Sequence, residues 1–323
     1  MPVYNAESTV LPALESLKAQ RIPELEIIVV NDGSTDGTME LLHRQKGILL
    51  LDHSHRGIAA ALNDGLAAAS GDYLARMDAD DVCHPSRMEL QASFLDVYSE
   101  IGLVGCRVAF GGDRIQKAGY ATYIDWINSL IEPDEIALNR FIESPFAHPS
   151  VMFRRALFER FGAYRHGPFP EDYELWLRWM ANGVSMAKVE EELLTWNDPP
   201  DRLSRTDARY SIDAFYRIKS EYISMWLREN NPHHPDVIVW GAGRVTRKRA
   251  AILEEFGIRI THYIDLKPRS LECGTPVIHH DDIPDPDTCF ILPMVGNRGA
   301  RAKIRSFLSR RGFTEGRNFI CIG

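Results

Sequence analysis

Short apolar runs alternate with helix-period stretches along the first 80 or so residues of the chain. Val3-Tyr4 reads as the tail of a strand, and Ser8 is placed to cap a helix carrying Leu11, Leu14 and Leu17 on one face. Glu26 to Asn31 is a β-branched run that stops at Asp32-Gly33-Ser34-Thr35-Asp36-Gly37, a turn cluster feeding a short helix through Leu41-Leu42. Ile48 to Leu51 repeats the pattern. Gly57 then leads into an alanine-rich helix, Ile58 to Ala69, which Gly71 stops before the next strand, Tyr73 to Met77. This alternation predicts an α/β fold with a parallel sheet, in which ligands collect at the carboxyl ends of strands. Asp32, Asp52 and Asp78 fall at those ends; Asp52, with no neighbouring motif, reads as an ordinary turn residue.

Arg76-Met77-Asp78-Ala79-Asp80-Asp81 places three carboxylates within four positions. On an extended strand side chains alternate, so Asp78 and Asp80 point the same way and Asp81 points away. Like charges this close call for a cation between them, and oxygen-only ligands suit a hard divalent ion, Mg2+ or Mn2+. A solvated acidic turn is the plain alternative for such a motif taken alone. Further along, Phe169-Pro170 precede Glu171-Asp172, and Trp176, Leu177 and Met180 follow with helical spacing. The acidic pair therefore opens a helix, where the positive helix end keeps a carboxylate ionised as a general base requires; capping of that helix is the competing role. His148 and Trp176 join Glu171 as acceptor-side candidates, against structural roles as a hydrogen-bonded histidine and a core tryptophan.

A second module follows. Aromatic-rich helical segments, Tyr210 to Arg228, lead into Asn230-Asn231-Pro232-His233-His234-Pro235, which reads as a linker, residues 230–235, between domains at 1–229 and 236–323. Val237 to Trp240 then runs into Gly241-Ala242-Gly243 and a helix from about Thr246 to Phe256, and the strand Ile258 to Ile264 ends at Asp265. That is a Rossmann-like opening, with Gly241, Gly243 and Asp265 as a candidate second nucleotide site. Thr246 stands where a third glycine is usual. A scaffold or homodimerisation role competes with the nucleotide site, and the remaining length is too short for a complete dehydrogenase.

Composition narrows the classes. The 323 residues suit two domains, and 45% hydrophobic with 25% charged residues describes an ordinary globular chain. A net charge of -8 argues against a nucleic-acid partner. Cys83, Cys106, Cys273, Cys289 and Cys321 are scattered without a C-x-x-C, which fits a reducing compartment. No apolar run approaches the roughly 20 residues of a membrane span, so the expected location is cytoplasmic, with peripheral attachment at the inner face of the membrane left open.

The motifs Met1-Pro2-Val3-Tyr4-Asn5-Ala6-Glu7, Ile27 to Asp36, Ala61-Leu62-Asn63-Asp64-Gly65-Leu66 and Arg76 to Asp81 occur in one order with compatible spacing. Together they resemble glycosyltransferase family 2. The resemblance extends through His148 to Arg155 and Glu171 to Trp176, about the first 200 residues. It implies a GT-A domain followed by a small Rossmann-like domain, a nucleotide-diphosphate sugar donor (a UDP-sugar first), a divalent metal and inversion at the anomeric carbon. Pro2, Tyr4, Glu7 and Asp32 match positions lining the nucleoside pocket. Asp78 and Asp80 match the metal motif, Asp80 as the direct ligand, and Asp172 matches the base.

Two departures stand out. After Leu193-Leu194-Thr195-Trp196 the family commonly carries a histidine, whereas this chain has Asn197-Asp198-Pro199-Pro200-Asp201-Arg202, leaving Asp198 as a substitute third ligand. Met1 also replaces the several apolar residues that usually precede Pro-Val-Tyr-Asn, so a shortened first strand or an upstream start is expected. No processive-synthase signature is present. The reading is a transferase moving a single sugar to a hydroxyl of a glycan or lipid-linked acceptor; the alternative is a degenerate nucleotide-sugar-sensing or scaffolding protein.

Overall fold

The computed structural model describes residues 1–200, 202–267 and 274–323; Cys273 lies outside them. The chain divides into two compact units, Met1–Ile136 with Pro145–Thr206, and Ala137–Ser144 with Asp207–Gly323.

The first unit opens with three parallel strands, β1 (Pro2–Val3), β2 (Ile28–Asp32) and β3 (Leu49–His53), side by side in that order. Val10, Ala13, Leu14 and Leu17 line the buried face of the helix Val10–Lys18, the stripe the leucine spacing foretells. Thr9, not Ser8, occupies its cap position. A second sheet contains β4 (Tyr73–Ala75), β5 (Val82–Cys83), β6 (Ile101–Phe110), β7 (Met152–Arg154) and β8 (Ser185–Trp196) in the order β4-β7-β6-β8-β5. It is mixed rather than parallel: β7 runs antiparallel to both β4 and β6, while β6 and β8 are parallel. Along β6, Leu103 joins one apolar cluster and Val104 another, because successive side chains leave opposite faces of the strand. Both faces are covered, which is why β6 reads as an almost unbroken apolar run.

β4 ends at Ala75, three residues before Asp78. The segment after it is pinned from below by Arg87, fully buried, whose Nη2 donates to Arg76 O at 2.9 Å and to Val151 O at 3.3 Å. Gln91, one helical turn on, donates to Val104 O at 3.1 Å and Ser150 O at 2.8 Å. Two buried polar side chains thus fasten the acidic loop to β6 and to the approach to β7.

The second unit is built on a parallel sheet ordered β11-β10-β9-β12, with β9 (Asp236–Trp240), β10 (Arg259–Asp265), β11 (Val277–His279) and β12 (Ile291–Pro293). The helix Ile212–Asn230 belongs to this unit, not to the first domain as the 1–229 boundary had it. Arg217–Glu255 and Lys248–Asp213 ion pairs, both at 2.9 Å, tie it to the helix Arg244–Glu255. Residues 230–235 correspondingly form a turn inside one unit rather than an interdomain linker: buried Asn231 donates to Asp236 O at 2.9 Å and accepts from His233 N at 2.8 Å. Among the described residues no helix is long and apolar enough to cross a membrane.

Arg87→Ala strands the two carbonyls and opens a cavity, and is expected to cost about 3 kcal/mol or more. Urea denaturation checks this; a midpoint shifted by less than a tenth would contradict the pinning role.

Candidate active site

Three loops at the carboxyl ends of β1, β2 and β3 are laced into one wall. Asn5 N donates to Ser34 Oγ at 2.9 Å, Thr35 N to Asn5 Oδ1 at 2.8 Å, and Ala6 N to Thr38 Oγ1 at 2.8 Å. Glu7 accepts from Gly37 N at 3.1 Å, and a Cβ at Gly37 would come within 2.6 Å of that carboxylate, so a side chain there would displace Glu7 from this bond. Asp32 is buried and accepts from the N–H groups of Arg56 and Gly57, each at 2.8 Å, with His55 Nδ1 at 2.9 Å. Tyr4 is half-exposed and stacks on His55, ring centroids 4.2 Å apart. The structure therefore groups Tyr4, Glu7 and Asp32, with Pro2 in β1, and adds His55, which no sequence motif signalled. Asp52 accepts from Asn31 Nδ2 at 2.7 Å, in keeping with its ordinary reading.

The acidic motif departs from the extended geometry. Because β4 stops at Ala75, residues 76–81 form a loop, and Asp81 turns toward its partners instead of away. Asp78, Asp80 and Asp81 each present an oxygen within 4.8 Å of the others'. Asp81 is fully buried; Oδ1 accepts from Asn197 N at 2.8 Å, whereas the buried Oδ2 has no hydrogen-bond partner. Burial, then the Asp78 charge, pushes Asp80 up to about 6. Burial and both neighbouring carboxylates push Asp81 well above the usual carboxylate range. Three converging carboxylates and an orphaned buried oxygen fit a hard divalent cation.

Asp198 is committed elsewhere. Its carboxylate pairs with Lys117 at 2.6 Å and with Arg205, with Arg202 at 3.8 Å, so it is engaged by side-chain cations, while Asp81 is the carboxylate that converges with Asp78 and Asp80. Arg202 lies over the Trp196 ring at 4.3 Å, contacts Tyr120 Oη, and feels the charges of Asp78 and Asp81.

The second carboxylate pair opens the helix Glu171–Ala181, where the sequence places it. Asp172 Oδ1 accepts from its neighbour Tyr173 N at 2.7 Å. Burial, then the Glu171 charge, pushes Asp172 up to about 7. His148, buried, has Nε2 2.8 Å from Tyr164 Oη and Nδ1 3.9 Å from Glu171 Oε1. Burial and nearby Arg76 hold His148 well below the usual range, so it is neutral. Asn63 clamps Tyr164 by both backbone groups, at 2.8 and 3.0 Å, which accounts for the asparagine in the Ala61–Leu66 motif. Trp176 is wholly buried among Phe146, His148 and Trp179, so it is core and has no ring face for a sugar.

Arg76 joins the two acidic groups. Buried at 5% exposure, it pairs with Asp78, and its charge also acts on Asp80, Asp172 and His148. In the second unit, Gly241, with φ +124°, and Asp265 sit at the carboxyl ends of neighbouring strands β9 and β10, and Gly243 caps the next helix. Thr246 Oγ1 donates to Met294 O at 3.3 Å, fastening that helix to the end of β12 where a third glycine would leave it free.

The fold and these acidic groups describe a sugar-transferring enzyme of the α/β class. The family model for glycosyl transferase family 2 matches residues 1–162, and the chain belongs to that family. EpsE of Bacillus subtilis (strain 168), named as a glycosyltransferase, is 32% identical over 223 residues, covering 66% of this chain and 77% of EpsE. The amylovoran biosynthesis glycosyltransferase AmsE of Erwinia amylovora is 29% identical over 231 residues, covering 67% and 83%. The crystal structure of S. aureus TarS 1–349 in complex with UDP-GlcNAc superimposes with a TM-score of 0.55 at 17% identity, over 79% of this chain and 69% of that one. The protein is a glycosyltransferase with the GT-A fold.

Asp81→Asn and Asp198→Asn separate the two candidates for third ligand. Calorimetry with Mn2+ and UDP is expected to show at least a 10-fold loss of Mn2+ affinity for the first and less than a twofold change for the second. The reverse order would restore Asp198 to the metal.

Proposed function

We propose that the protein transfers one sugar from a nucleotide-diphosphate donor, a UDP-sugar, to a hydroxyl of a glycan or lipid-linked acceptor, with inversion and with a divalent metal, Mg2+ or Mn2+. The observation that carries this reading is the convergence of Asp78, Asp80 and Asp81 beside a separate carboxylate pair, with Arg76 acting on both. A sugar diphosphate would be repelled by an acidic cleft, so the three carboxylates suit the donor only with a cation between them. When bound, that cation would neutralise the diphosphate and ease its departure. Tyr4 offers an exposed ring for a base to stack on, and Arg202, on the Trp196 ring, offers a fixed positive charge beside the acidic loop.

Asp172 is the base in this reading. The acceptor oxygen gives its proton to the Asp172 carboxylate as it attacks the anomeric carbon, and the bond to the diphosphate breaks on the opposite face, which inverts that centre. A carboxylate held near 7 takes a proton more readily than an ordinary aspartate and is still largely ionised slightly above neutrality. Glu171 and neutral His148 border it on the acceptor side. The second unit, with Gly241, Gly243 and Asp265, is read as a nucleotide-binding or scaffolding module.

Three measurements test this. Asp80→Ala, or EDTA added to the wild type, is expected to abolish transfer while leaving the thermal transition in place; full activity in EDTA would remove the metal. Asp172→Asn is expected to keep donor affinity and lose on the order of 100-fold to 10,000-fold in kcat. Near-normal turnover would return Asp172 to helix capping. The base must be ionised, so kcat is expected to fall as pH drops through about 7, where Asp172 takes up a proton. A flat profile between pH 5.5 and 8.5 would contradict the assignment.

A further inference from the structure

The second unit carries a group of metal-ligating side chains of its own. His279, His280 and Asp281 each offer one ligand atom, and these atoms lie within 4.8 Å of one another. On a continuing strand, neighbouring side chains leave opposite faces. β11 ends at His279, and the single helical turn His280–Asp282 brings the next two side chains beside the first; the two imidazole centroids are 4.1 Å apart. His279 pairs in register with Asp265 at the end of β10, so the group stands at the carboxyl edge of the sheet. Its polar atoms have no proton to share between them. His279 Nδ1 accepts from Asp281 N at 3.3 Å and so carries no proton, yet it lies 3.3 Å from Asp281 Oδ2, another acceptor. The His280 ring packs edge-on against Phe307, centroids 5.3 Å apart, with Trp240 at 6.4 Å. Its Nδ1 is buried without a hydrogen-bond partner, which makes Nε2 its polar outlet. That atom lies 3.6 Å from Asp281 Oδ1, beyond hydrogen-bond length.

We propose that His279 Nδ1, His280 Nε2 and a carboxylate oxygen of Asp281 form a binding site for a transition-metal ion of the Zn2+ type. Zinc bonds of about 2.0–2.2 Å to nitrogen and oxygen, set at the tetrahedral angle, place ligand atoms roughly 3.3–3.6 Å apart. Both nitrogen–carboxylate pairs of this group have that spacing. Two imidazoles with one carboxylate favour such an ion over Mg2+ or Ca2+, which take oxygen ligands. The ion would lie between acceptors that otherwise oppose each other, and three protein ligands leave a fourth position for water or a ligand's anionic oxygen. Side-chain exposures of 29%, 25% and 64% for His279, His280 and Asp281 give an ion access to the site. Its chemistry differs from that of Asp78, Asp80 and Asp81, whose oxygens suit Mg2+ or Mn2+.

The test is calorimetry of the full chain with Zn2+ in an Asp80→Ala background, which disables the competing acidic loop of the first unit. One equivalent of Zn2+ is expected to bind. Adding His279→Ala or His280→Phe is expected to weaken that binding roughly 10-fold or more, and Asp282→Asn, which alters a neighbouring acid outside the group, by less than about twofold. His280→Phe keeps an aromatic ring against Phe307, so it removes the nitrogen and spares the packing. A second measurement needs no histidine variant: one equivalent of Zn2+ is expected to shift the imidazole NMR signals of His279 and His280 ahead of those of the other histidines. Unchanged Zn2+ affinity in both histidine variants would overturn the proposal, as would imidazole signals of His279 and His280 that stay in place.

Discussion

Mutual repulsion among Asp78, Asp80 and Asp81 is the constraint around which the first unit is arranged. Carboxylates this close, one of them fully buried, cannot all ionise without cations nearby. The chain supplies Arg76 as a direct partner of Asp78 and Arg202 at longer range. It also ties the loop down by hydrogen bonds from several elements. Arg87 and Gln91 hold it from beneath, and Asn197 grips it through Asp81 and through Asp80 O. Folding energy is thereby spent on a concentration of negative charge that a divalent ion would relieve.

Arg76 gives the site its division of labour. It pairs with Asp78, and its charge adds to burial in holding His148 neutral and draws Asp172 down against burial. Burial and Glu171 still leave Asp172 near 7. One set of acids is suited to holding a cation and the other to taking a proton, though both are built from the same side chains; environment separates them.

Much of this was legible in the sequence, and the failures share a cause. The strand-helix alternation, Asp32 and Asp52 at strand ends and the helix opening at Glu171 depend on local pattern, and all appear in the structure. Strand alternation points Asp81 away from Asp78 and Asp80, but β4 ends three residues before Asp78, so that alternation does not reach the acids. Asp198 looked free because Lys117, which pairs with it, lies 81 positions away in the chain. Trp176 looked available because Phe146 and His148, which cover it, lie 30 and 28 positions away and only folding brings them together. The helix Ile212–Asn230 comes before the stretch 230–235 that reads as a linker, whereas its ion pairs lie with the helix Arg244–Glu255 beyond it. Local periodicity carries elements; it carries neither loop direction nor long-range charge pairing.

The central claim is a single displacement with Asp172 as base opposite a departing diphosphate. The anomeric configuration of the product tests it most directly. With an α-linked UDP-sugar that the enzyme uses, the proton NMR spectrum of the product formed in Mn2+ is predicted to show a β-linked sugar from the first turnovers. An α-linked product would contradict the account, because retention needs a different arrangement of nucleophile and leaving group from the one Asp172 and the three aspartates provide.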